Sequence, residues 1–461
     1  MKTLTLILMI SLSLLSCKKQ DEWLDKKSSK SDVVPSTLED YQAILDNTDI
    51  MNTYYPSLGV IGADNYIISD DSFNSISDTK VKNMYSWTSD IYEGSTTTPI
   101  WEWSKPYQIV EYSNIALEGV EKINVNEVNR NKWNSLKGSA LFFRAFVFYN
   151  LAQLFCKPFE SEKANSDLGI PIRLSSDVNI KSTRSTVRQT YDQILKDLLV
   201  AEELLPEIPS YKTRPSKSAA AGLLAKTYLV MGDYQNALKY AEKVLATNNT
   251  LIDYNTLSSS TTYSLPNFRT NNPEIIFYST NTGYAVVSSR STRIVSPDLF
   301  NSYTAGDLRK KIFYRGILPN ISFTGNQNGS SSDFAGVATN ELFLIKSECL
   351  FRLGDLQSGI TVLDQLLKMR WDRNVAYKSP SVSNEEGALK LILSERRKEL
   401  PFTSNTRWED LRRFNKDPRF ATTLTKTVNG KIYSLPPNDP RYVYPIPPLE
   451  ILKSNIEQNI R

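Results

Sequence analysis

Over residues 218–245, apolar side chains recur with the period of a helix. Ala221, Leu224, Ala225 and Tyr228 stand at i, i+3, i+4 and i+7, the spacing that gathers one face of an α-helix. Gly232-Asp233 then breaks the pattern. Glycine can end a helix in a left-handed turn at little cost. A second apolar face follows at Ala237, Tyr240, Ala241, Val244 and Leu245. The two faces predict an antiparallel helical hairpin. The layout returns 122 residues later, where Gly354-Asp355 takes the place of Gly232-Asp233 and Gly359, Val362, Leu363, Leu366 and Leu367 form the second face. Lys346 and Ser347 fall on two positions where its first helix should be apolar.

Small residues where helices cross, followed by Gly-Asp and then an aliphatic or aromatic residue, resemble the tetratricopeptide repeat. Such a hairpin cannot bury its apolar face alone, so further helices must stack on it. The pattern supplies them. Residues 37–46 carry Leu38, Tyr41, Ile44 and Leu45 on one side. Trp103, Tyr107, Val110, Asn114 and Leu117 mark a helix from Trp101. Trp133, Leu136, Ala140, Phe143, Val147, Leu151 and Leu154 mark a longer one from about Glu127. Thr186 and Gln189 form a capping box ahead of Val187, Tyr191, Ile194, Leu198 and Ala201. Ser383 and Glu386 form a second such box before LKLILSERRKEL. The expected fold is mainly α, with tetratricopeptide-like hairpins and little β.

Two stretches interrupt the helices. Residues 47–98 and 250–339 lack periodicity and are punctuated by Ser, Thr, Asn, Asp and Gly. Within the second, Ile275-Ile276-Phe277-Tyr278 reads as a short strand. The proline-rich end, from Tyr433 onward, reads as mostly extended. Long ordered loops on a rigid scaffold often carry function.

The first residues differ from all of this. Lys2 precedes an apolar run, Leu4 to Leu15, too short to span a bilayer. The run ends in Leu14-Leu15-Ser16-Cys17, which resembles the bacterial lipobox, in which Cys becomes the lipidated first residue. Residues 1–16 are therefore read as a signal peptide, 17–36 as a lipidated tether, and 37–461 as one domain with loop insertions near 47–100 and 250–339. Multiple acyl chains on Cys17 would anchor the chain stably to a membrane. Lys18-Lys19-Gln20-Asp21-Glu22 is similar to the charged tract that helps send some lipoproteins to the cell surface.

Composition narrows the chemistry. A net charge of +4 over 461 residues gives no argument for nucleic acid. The absence of histidine removes every Ser-His, Cys-His and His-metal mechanism. Cys156 and Cys349 lie in apolar helical patterns, as buried thiols do. No spacing suggests a metal site. The carboxylate pairs Glu202-Glu203 and Glu385-Glu386 are sequence neighbours, which do not face each other on a helix. The segments ERRKEL and RWEDLRRF alternate charge and read as ion-paired helix faces. No cofactor is expected beyond the lipid on Cys17. Aromatics are the better lead: 24 Tyr and 7 Trp leave many for surfaces that stack on ligands, and Trp87 and Trp101 stand out within the first insertion. For each of them the alternative is packing beneath its own loop.

Several stretches together resemble the SusD/RagB family of Bacteroidetes nutrient-uptake lipoproteins. They are Trp103, Tyr107 and Asn114; Gly138, Ala140, Arg144 and Ala145; NPEIIF from Asn272; Asp307 and Arg309; and FLIKSECLFRLGD from Phe343. They continue with Glu395, Arg396, Arg397, Glu399 and Leu400, then Arg407, Trp408, Asp410, Leu411 and Arg413, and end with YPIP from Tyr444, Glu450, Asn455 and Gln458-Asn459. The resemblance implies four pairs of tetratricopeptide-like helices with a ligand face built from insertions. It implies capture of an oligosaccharide or peptide at the outer-membrane surface for a SusC-type TonB-dependent transporter, and no enzyme activity. It implies that the shared motifs are structural and that ligand residues lie in the variable loops. By region it points to Asn65, Tyr66, Asp71, Trp87, Trp101, Tyr284, Arg290 and Phe323. The opening TLEDYQAILDNTD is similar to that of members that do not bind starch. A tetratricopeptide scaffold that binds protein through its helical groove is the alternative function, and a surface hydrolase a third.

Overall fold

The structure, a computed structural model, describes residues 34–93, 99–269, 272–284, 289 and 291–461. Cys17 and the signal and most of the tether lie outside them. The architecture is mainly α. Its helices are α1 (Leu38–Leu45), α2 (Trp101–Val120), α3 (Arg130–Phe155), α4 (Val187–Leu204), α5 (Lys217–Met231), α6 (Tyr234–Leu245), α7 (Thr339–Arg352), α8 (Leu356–Lys368), α9 (Glu385–Glu399) and α10 (Thr406–Phe414). From α2 to α8 each helix packs on the next in chain order, as stacked hairpins do.

The Gly-Asp pairs work as a two-part hinge. Gly232 takes φ 80° and ends α5, and the Asp233 side chain then accepts from Asn236 N at 3.1 Å to cap α6. Gly354 (φ 90°) and Asp355, which accepts from Ser358 N at 3.0 Å, repeat the device between α7 and α8. Glycine supplies the left-handed turn and aspartate the first-turn acceptor. The two misplaced polar residues also find their reason. Lys346 reaches from α7 to Glu242 on α6, 3.1 Å away. Ser347 is buried and donates to the Gly359 carbonyl at 2.8 Å. A Cβ on Gly359 would lie 2.4 Å from the Phe351 ring, so the helices meet closely enough to need small residues.

Helix α3 buries more than its predicted face. From Gly138 to Phe155 every side is covered, because α2 and α4 flank it and the insertion strand Ile275–Phe277 lies over it, with Phe277 4.8 Å from Phe142 and 5.6 Å from Phe146. Cys156 follows at its end, fully buried, and burial pushes its thiol up to about 12. Cys349 is buried as well.

Two local readings change, and one region gains detail. Residues 47–93 are not loop throughout: Thr48–Met51, Leu58–Gly62, Asp70–Ser75 and Thr79–Tyr85 are short helices. Helices of one or two turns show no usable period, although Ser69 and Asp78 cap two of them. Asn384, not Ser383, caps α9, accepting from Gly387 N at 2.8 Å. The C-terminal region holds a hairpin of Leu424–Val428 and Lys431–Leu435. Its turn, Asn429-Gly430, has φ of 50° and 73°, the pairing favoured in two-residue hairpins.

The charged motifs are ion-paired, and the pairs are buried. Arg370 donates to Glu274 and Glu399, each at 2.8 Å. Arg309 reaches Asp307 at 2.7 Å, Glu395 at 2.8 Å and Glu399 at 3.2 Å. Arg144 makes two 2.8 Å bonds to Asp197 and a 3.0 Å bond to Asn114. The first two networks tie the second insertion to α9, and the third joins α2, α3 and α4. Removing one partner of such a pair leaves an uncompensated buried charge. The two insertions meet in a small antiparallel sheet, Tyr66–Ile67, Ile294–Val295, Ser322–Phe323 and Tyr314–Arg315 in spatial order.

Candidate functional site

Where the two insertions meet, backbone pairing fixes a short, partly buried segment. Thr280 N donates to Asn52 O (2.8 Å), Tyr55 N to Thr280 O (3.2 Å) and Thr282 N to Tyr55 O (2.7 Å). The Asn52 side chain donates to Thr213 O (2.9 Å) and Tyr278 O (2.8 Å). Between these anchors Tyr54 is held at φ 65°. A bulky residue there costs about 1–3 kcal/mol and persists only where its surroundings over-determine it.

The strained turn presents the Tyr54 ring to Trp101, the first residue of α2. The centroids are 6.0 Å apart and the planes meet at 85°. Trp101 is 54% exposed, unusual for so large an apolar side chain. Lys105, one turn along α2, sets its ammonium 5.4 Å from the Tyr54 ring centre and donates to Gln108 at 3.2 Å. The patch thus offers two aromatic surfaces at right angles with a cation beside them.

Glu102 underlies the patch. It is fully buried and accepts from Ser57 N (2.7 Å) and Ser57 Oγ (2.9 Å). The Tyr284 hydroxyl also bonds to it. Burial raises its carboxyl to about 7, against the Ser57 bonds that lower it. A carboxyl titrating there could serve as a general acid. Glu102 has no exposed oxygen to offer, however, and its partners are a backbone amide and hydroxyls. Its position instead joins α2 to both insertions.

The expected site residues divide sharply. Trp101 is on the patch and half-buried Tyr284 stands beneath it through Glu102. Asp71 is exposed in the short helix Asp70–Ser75. Arg290 lies outside the described residues. Asn65, Tyr66, Trp87 and Phe323 are packed inside, and a ligand-facing place for them is corrected by their burial. Trp87 is 1% exposed and donates from Nε1 to Gly62 O at 2.9 Å. The Lys426 ammonium sits 4.5 Å from its ring and 4.0 Å from that of Tyr85, and donates to the carbonyls of Ile61 (3.2 Å) and Tyr85 (3.1 Å). The Tyr66 hydroxyl donates to Ile61 O at 3.1 Å. Phe323 lies 4.7 Å from Phe402. Asn65 accepts from Arg397 at 3.3 Å. Tyr54 and Lys105 were not singled out from the sequence. Tyr54 was one ring in an aromatic-rich stretch, and its strained backbone leaves no mark in the pattern.

Comparisons with known proteins bear on the fold that carries this geometry. A family model described as "SusD-like_3: Starch-binding associating with outer membrane" matches residues 22–229, which include Tyr54, Trp101 and Lys105. SusD-like protein P2 of Formosa agariphila is 34% identical over 143 residues, a stretch that is 31% of this chain and 26% of that protein's length. The fold matches a SusD superfamily protein from Bacteroides thetaiotaomicron with a TM-score of 0.74 at 22% identity, over 92% of this chain and 100% of that one. It also matches a putative sugar binding protein from Bacteroides vulgatus with a TM-score of 0.73 at 20% identity, over 93% and 99%. The chain is thus similar to SusD-like proteins over its N-terminal part, and it shares the fold of SusD superfamily structures along nearly all of its length.

Proposed function

We propose that the protein is a non-catalytic binding lipoprotein of the outer-membrane surface. It captures an oligosaccharide, anchored through lipid on Cys17, and passes it to a SusC-type TonB-dependent transporter. The observation that carries this reading is the Tyr54–Trp101 pair, set at 85° where the two insertions meet, with Tyr54 half-buried and Trp101 exposed. Aromatic faces take the apolar C–H faces of sugar rings, and a few polar groups around them fix orientation. The family model's description, starch-binding and associating with the outer membrane, supports the same class of ligand. A peptide ligand would meet the same surface through its side chains.

The test is a mild-detergent pull-down of the tagged full-length lipoprotein from its own outer membrane, with turnover assayed on a panel of glycans and peptides. A large β-barrel recovered in stoichiometric amount, with no product released, is the expected result. Recovery alone or with soluble partners contradicts the transporter pairing and favours a protein-binding scaffold. Steady product release contradicts the binding role.

A further inference from the structure

A second cavity, of about 850 Å³, lies at the far end of α3 and is built from other segments. Its walls are the turn after α3, the end of α10, the 3-10 turn Pro440–Tyr442 and the last residues of the chain. The charges on those walls are partly settled among themselves. Asp167 is paired with Lys157 at 2.7 Å, Glu160 with Lys163 at 2.7 Å and Asp439 with Arg441 at 2.8 Å. Glu457 is exposed at the rim.

What remains is a set of donors. Arg412 is 4% exposed. One of its nitrogens, Nη2, donates to the Cys156 carbonyl, while Nε and Nη1 have no acceptor among the described residues. It has no ion-pair partner among the described residues, unlike its neighbour Arg413, which is bound to Glu348 and Asp410. Asn415 Nδ2 and the Tyr442 hydroxyl, both buried on the same wall, interact with each other and have no further partner among the described residues. Lys416, at the mouth, donates to the Phe159 carbonyl and to no other group among the described residues. Burying a guanidinium with free N–H groups is costly unless something accepts from it, and each such orphan calls for a water or an ion. The guanidinium N–H groups of Arg412 and the Lys416 ammonium can only donate, and they match a group that only accepts.

The geometry points to an anion-binding site in this cavity, in which Arg412 and Lys416 take the carboxylate or sulfate of a small ligand and Asn415 and Tyr442 bind its remaining oxygens. The site stands apart from the aromatic patch and does not depend on the function proposed for it. Charge-assisted bonds from a planar guanidinium favour such oxyanions over neutral hydroxyls.

The experiment is a titration of the full chain with D-glucuronate and with sodium sulfate at constant ionic strength, with D-glucose as the neutral control, followed by calorimetry. Binding of either anion and not of glucose is expected, weakened about tenfold or more in Arg412→Gln, the loss of one charge-assisted hydrogen bond. Glucuronate alone would make the ligand a sugar acid, and sulfate alone an inorganic or sulfate ester oxyanion. If Arg412→Gln does not fold, Lys416→Met and Tyr442→Phe carry the same comparison, each weakening anion binding. Equal binding of glucose, binding unchanged in these variants, or no anion binding at all overturns the site.

Discussion

The carboxylate of Asp64 accepts from both Arg407 Nε, at 2.7 Å, and Arg407 Nη2, at 2.9 Å. The partners are 343 residues apart and join the first insertion to α10. Arg397 adds a contact at 3.1 Å. Burial alone would raise the Asp64 carboxyl, but Arg407 and Arg397 outweigh it and hold the group well below the usual carboxylate range. Its folded value is depressed, so its contribution is present above the ordinary carboxylate value and is lost as pH falls through and below it. Asp64→Asn is expected to cost about 3 kcal/mol in urea denaturation at neutral pH and to flatten the acid limb of the stability profile.

Glu102 has the opposite sign. Burial raises its carboxyl to about 7 in the folded chain. A raised carboxyl favours the protonated folded state, so this contribution is full below the ordinary value and is lost as pH rises through about 7. Glu102→Gln copies the protonated form. It should remove the fall in melting temperature across that window while leaving the protein folded. A fall that persists in the variant would place the titrating group elsewhere.

Tyr54 carries strain without filling the core. Tyr54→Gly should relieve the positive φ and leave stability equal or raised by about 1 kcal/mol. It should still abolish half of the aromatic patch, and so weaken oligosaccharide binding. Stability and binding moving in opposite directions would mark the strained turn as serving the site.

Phe142 is the contrasting case. It is wholly buried between α3 and the Ile275–Phe277 strand, 5.7 Å from Phe146 and 4.8 Å from Phe277. Phe142→Ala should cost about 3–5 kcal/mol through lost packing and an unfilled cavity, read by thermal denaturation.

These contrasts also show what the sequence held. The hairpins were legible because the 3.6-residue period and the Gly-Asp turns are local signals, and the polar residues that broke the pattern, Lys346 and Ser347, proved to be contacts of the stack. The buried role of the charged motifs was visible only through the resemblance, since Glu395 and Arg309 find each other across 86 residues of chain. The site was harder to read. Burial of Trp87 depends on Lys426, 339 residues away, and no count of aromatics along the chain separates a ring caged by a distant amine from one left open to solvent. Trp101 stayed exposed because it begins a helix whose buried face is set by Glu102, Trp103 and Pro106.

The most direct test titrates the purified protein with a panel of oligosaccharides and repeats the series with Trp101→Ala. Trp101 is exposed, so the variant should melt within about 0.5 kcal/mol of the parent. The account predicts saturable binding of at least one oligosaccharide, weakened about tenfold or more in the variant, as loss of a stacking aromatic anchor would give. Binding that the variant leaves unchanged, or a protein that binds none of the panel, would contradict the assignment of the Tyr54–Trp101 patch as the ligand site.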